Sequence, residues 1–157
     1  MSSDNPAKHF VATFLIALVV YVIVYSAIEH RRKMRGPWQV TFTSRAGSST
    51  AAILINQPAI GITNVTLLFQ GAAAPGTNIS TTLLFGQPRE VPFDVPLGKC
   101  IFMDATFLPG TLTFRMFGHE IELLPRVLMI DHEEHAWRPG EVVPLQHIRT
   151  TNGPGAP

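Results

Sequence analysis

A chain of 157 residues with a formal net charge of +1 and only 15% charged residues has no broad basic surface, which excludes a general nucleic-acid binder. One cysteine, Cys100, excludes an intrachain disulfide, so stability does not depend on an oxidising compartment. With 46% hydrophobic residues, ten Phe and two Trp, the chain has the means to bury a substantial core.

Residues 1–9 form a short N-terminal segment, and from Phe10 to Ile28 there is no charged residue. As an α-helix rising 1.5 Å per residue, that run spans roughly 28 Å, close to the ~30 Å hydrocarbon core of a bilayer. A cleaved signal peptide has a shorter apolar run and a small-x-small cleavage site, and Val24-Tyr25-Ser26-Ala27 offers none. Residues 10–28 are therefore predicted to be a retained transmembrane helix. A basic juxtamembrane collar follows over 29–36, with Arg31, Arg32, Lys33 and Arg35, whereas only Lys8 precedes the run. The positive-inside rule puts the short N-terminus outside and the rest of the chain on the cytoplasmic side of the cell (inner) membrane. The collar then meets anionic membrane lipid, a sufficient duty for it without nucleic acid.

Within the helix, Thr13, Ala17, Tyr21 and Tyr25 recur every four residues and share one face. Tyr25 lies near headgroup level, where aromatic residues concentrate. Tyr21 lies roughly 10 Å from the nearer end of the span, and an unpaired hydroxyl in hydrocarbon costs free energy. Local water or a lipid carbonyl is one way to satisfy it; a partner on another helix is the other, and on that reading this face is predicted to pack against other transmembrane subunits in a homo- or hetero-oligomer.

After Gly36 the composition changes to short apolar runs separated by Gly, Pro, Asn and Asp, the pattern of many short strands. The predicted strands are 38–43, 51–55, 61–69, 80–85, 89–95, 99–107, 111–117, 120–124, 127–130 and 142–146, with Ile62, Val65, Leu67 and Phe69 facing inward. No later segment keeps a helical period for more than two turns. The fold class is mainly β: one N-terminal transmembrane α-helix followed by a single antiparallel β-sandwich, jelly-roll or immunoglobulin-like, over 37–149. Residues 150–157, rich in Gly and Pro, are predicted to be a disordered tail. Trp38, following Arg35-Gly36-Pro37, is predicted to contact the membrane surface as well as to open the core, and Trp137 to cover one end of it. The short Gly36-Pro37 link would keep the β-domain close to the bilayer.

The densest group of potential ligands is Asp131-His132-Glu133-Glu134-His135. A zinc protease needs two His four apart on a helix with a Glu after the first, and here they are three apart in a strand–turn–strand context. A loose metal site on His132 and His135, with His119 and Glu120 from another turn, is the alternative to a polar hairpin tip. Cys100, Met103 and His119 invite a copper reading, but that ligation needs a second His, and packing explains Cys100 and Met103 more simply. No Gly-x-Ser-x-Gly occurs, and Ser48-Ser49 has no base nearby in sequence. The sequence thus predicts no catalytic residue, no cofactor and no metal beyond the weak candidates His132 and His135. The function it favours is a non-catalytic accessory, assembly or scaffold subunit of a membrane protein complex. The alternative is a membrane-tethered ligand-binding or metal-handling domain.

Overall fold

The computed structural model describes residues 6–72 and 76–146. The predicted tail, the last three residues of the predicted β-domain and part of the Gly71–Gly76 loop lie outside the described residues. The chain divides into two compact units, residues 1–34 and 35–157.

The described residues of the first unit form a single helix, part of α1 (Pro6–Arg35, 30 residues), which is about 45 Å long at 1.5 Å per residue. It therefore runs past both ends of the predicted span and continues through the collar. Leu, Val, Ile and Phe occupy every side of it, and its described side chains are almost all exposed. A helix apolar all round suits a medium that is itself apolar. Ala7–Arg31 is long and apolar enough to cross a membrane, or to act as a signal sequence. Gly36, at φ 67°, takes the left-handed conformation at which helices commonly stop, and Pro37 follows.

The second unit is mainly β: β1 (Trp38–Ser44), β2 (Thr50–Gln57), a 3₁₀ turn at Pro58–Ile60, β3 (Ile62–Gln70), β4 (Ile79–Phe85), β5 (Phe93–Val95), β6 (Gly98–Asp104), β7 (Thr111–Met116), β8 (His119–Leu123), β9 (Leu128–Ile130), β10 (Glu133–His135) and β11 (Val142–Gln146). They form two sheets, one of five strands in the order β11-β3-β2-β1-β4 and one of six in the order β10-β9-β8-β7-β6-β5. One pair departs from the expected antiparallel pattern, because β11 lies parallel to β3. Gly140 N–H to the Thr63 carbonyl and Thr66 N–H to the Glu141 carbonyl lead the chain into that position.

Period-two alternation decides which side chains go inward. In β1, Trp38, Val40 and Phe42 are fully buried, and in β2, Ile53 and Ile55 are. Ile62, Val65, Leu67 and Phe69 are all buried as expected, although Ile62 and Val65 are three apart. A β-bulge near Ile55/Gln57, with Asn64 at φ 54°, absorbs the odd residue and restores the alternation. The sheets share one core: the Phe114 ring lies edge-on to Phe42 at 6.1 Å and to Phe85 at 5.4 Å, while Phe69 packs on Phe117 at 5.0 Å. Burying each such ring fully is worth roughly 1.5–3 kcal/mol.

Two predicted strands need correction, and one strand was not predicted. The strand expected over 89–95 shrinks to Phe93–Val95, because Pro88 and Pro92 have no N–H to give a ladder. The strand expected over 99–107 stops at Asp104, whose carboxylate accepts a hydrogen bond from Thr106 N–H in a turn of its own. β10 was not expected at all. Asp131 and His132, at φ 52° and 70°, make a two-residue hairpin loop with both central residues left-handed, so Glu133–His135 returns against β9.

Candidate functional site

On α1, Thr13, Ala17, Tyr21 and Tyr25 all lie exposed, and the Tyr21 and Tyr25 rings stack at 6.2 Å. The Thr13 hydroxyl is satisfied locally, donating to the His9 carbonyl at 2.9 Å. The Tyr21 ring has its neighbour, but its hydroxyl makes no hydrogen bond among the described residues. Of the basic collar, Arg31 and Arg35 are exposed. The side chains of Arg32 and Lys33 lie outside the described residues. Trp38 corrects the expected membrane contact. It is fully buried, packs on the Trp137 ring at 5.5 Å and donates its indole N–H to the Gly110 carbonyl, so the core takes the whole side chain.

The His and acidic residues flagged in the sequence meet around β8 and the β9–β10 hairpin, sorted by strand parity. His119 points inward and is 5% exposed, while Glu120 and Glu122 are only partly buried on the alternate parity. His119 Nδ1 lies 2.6 Å from Asp131 Oδ2, and its Nε2 lies 2.7 Å from the Gln146 carbonyl oxygen. Asp131 Oδ1 also accepts from Glu120 N–H at 2.9 Å. Burial of Asp131 would raise its pKa, but the hydrogen bonds from His119 and Glu120 N–H, with the charges of His119 and His132, hold it below the usual carboxylate range. A His–Asp pair of this kind occurs in catalytic triads, but there the other ring nitrogen must face a nucleophile. Here it faces a backbone carbonyl, so the pair joins β8 and the hairpin loop to β11.

The metal-ligand candidates regroup. His132 comes together with Glu120 and Glu122, one ligand atom of each lying within 4.8 Å of the others. His135 is not part of that group, and His119 is occupied by Asp131 and Gln146. Two carboxylates and an imidazole are a donor set that divalent zinc or manganese accepts. Glu120 Oε2 also receives the Arg115 guanidinium at 3.2 Å, an ion pair that competes with a metal. Cys100 is fully buried, with its thiol near the Phe102 carbonyl, and burial pushes its pKa up to about 11, far from the thiolate that a metal needs. Met103 packs against the core.

One feature escaped the sequence reading because it appears only once the strands are sorted into sheets. No residue in the five strands of the first sheet is Asp, Glu, Lys, Arg or His. The second sheet carries charged residues on most of its strands, including the Lys99–Asp94 and Arg115–Glu120 pairs. Searches with protein-family models, among curated proteins and among solved structures find no match to this chain.

Proposed function

We infer that this protein is a single-pass membrane subunit whose β-domain lies on the cytoplasmic side and serves a membrane complex as a non-catalytic accessory, assembly or scaffold component. The β-domain is read as a β-sandwich of jelly-roll or immunoglobulin-like type, with β11 added in parallel at one edge. The observation that carries the reading is the helix: apolar on every side of its span, with the polar-tipped Tyr21 exposed midway along it. A tether alone needs no polar group there, whereas a helix packed among others gives it a partner. The Thr13, Ala17, Tyr21 face would dock in the membrane, and the β-domain would position a second component at its surface. The collar of Arg31, Arg32, Lys33 and Arg35 supports the cytoplasmic placement and contact with anionic lipid.

The test is recovery of partners with the full chain in mild detergent. Tyr21→Phe removes only the hydroxyl and is expected to weaken association by about 0.6–1.5 kcal/mol, roughly three- to tenfold. Undiminished recovery would contradict the proposed helix face. A second reading, a membrane-tethered metal-handling domain, is favoured by the grouping of Glu120, Glu122 and His132.

A further inference from the structure

The two sheets have four edges, and three carry features that discourage further strand pairing. β11 has Pro144 in its middle, β5 is three residues long with Asp94 at its centre, and β10 is three residues long with two glutamates. Shortness, charge and proline are the recognised means of blunting an edge. β4 has none of them. It is seven residues long, Ile-Ser-Thr-Thr-Leu-Leu-Phe, and pairs along its whole length with β1 on one side only. Among the described residues no strand pairs with its other side, so its outward N–H and C=O groups form a template for another strand. Leu84, 64% exposed, adds apolar surface beside that edge.

We propose that β4 is a self-association edge, at which two copies of this chain join their five-stranded sheets into one continuous sheet through an antiparallel β4–β4 pair. The occupant follows from the strand's own chemistry. An antiparallel register centred on Thr82 sets Thr82 opposite its counterpart, Ser80 opposite Leu84, and Thr81 opposite Leu83. No like charges meet, because the whole sheet has none. A charged peptide would find no complementary residue on this strand, whereas a second β4 matches it in length, polarity and face. The Thr82 pair would also extend a row already begun within the sheet, where the Thr41 and Thr82 hydroxyls lie 2.8 Å apart. Two-fold closure uses the edge completely and stops growth at two copies. The proposal is independent of the accessory-subunit reading, since it rests on the β unit alone.

The experiment is the mass of the full chain in detergent micelles, by light scattering with the detergent subtracted. Wild type is expected to contain two copies. Thr82→Lys and Thr82→Glu are each expected to contain one, because like charges then meet across the two-fold axis, and mixing the two variants is expected to restore a pair. Either variant that fails to melt cooperatively is replaced by the double variants Ser80→Lys/Leu84→Lys and Ser80→Glu/Leu84→Glu, in which the same register sets like charges opposite each other. A single-copy wild type overturns the proposal. So do charged variants that stay paired, as they would if the helix held the copies together, and so does a mixture that fails to recombine.

Discussion

Asp131 shows how much one side chain can organise here. Its two carboxylate oxygens hold His119 and the Glu120 N–H, its own N–H reaches the Glu120 carbonyl, and its left-handed backbone starts the β9–β10 hairpin. Its pKa in the folded chain lies below the ordinary carboxylate value, so the folded state binds the proton more weakly than the unfolded one. Asp131 therefore adds stability that is present above the ordinary carboxylate pKa and is lost as the pH falls through the folded value. Asp131→Asn should lower stability at neutral pH, by no more than about 1 kcal/mol because the carboxylate is partly screened by solvent, and flatten the acid limb of melting temperature against pH. Thermal melts of both forms in detergent between neutral and acid pH check this, and an unchanged acid limb would contradict it. Neither the partners of Asp131 nor those of His119 could be read from spacing, because His119 Nε2 bonds to a backbone carbonyl of β11.

At the scale of elements, legibility followed turn chemistry. The β7–β8 hairpin turns on Phe117-Gly118 at φ 50° and 87°, and its glycine marked it in the sequence. The β9–β10 hairpin turns the same way on Asp131-His132 without a glycine, so β10 passed for loop. Trp38 joins the core, as its alternation with Val40 and Phe42 indicated, and only the membrane contact suggested by its neighbours in sequence is denied to a fully buried side chain. The metal candidates show the same limit. Sequence adjacency paired His132 with His135, whereas antiparallel registry brings His132 to Glu120 and Glu122 on another strand. The metal-handling reading makes a sharp prediction at this level: the full chain binds one Zn²⁺, His132→Ala abolishes binding, and His135→Ala spares it. Calorimetric titration separates these outcomes, and binding that survives His132→Ala would exclude this site.

Across the whole molecule, polarity is divided in a way that composition alone concealed. A net charge of +1 describes neither an apolar helix followed by a basic collar nor a β unit whose charge-free sheet stands apart from a charged one. The helix was legible because its apolar run is long and uninterrupted, and the β class because turn residues recur between short apolar runs. The sorting of strands into two sheets, and with it the charge-free sheet and its open edge, depends on long-range pairing that local sequence does not encode. The central claim is that this chain serves other membrane subunits. Native mass spectrometry of the full chain, released from its own membrane in mild detergent, tests it most directly. The expected result is a mass that copies of this chain alone do not explain, with the surplus belonging to a different membrane polypeptide. A mass explained by copies of this chain alone would contradict it.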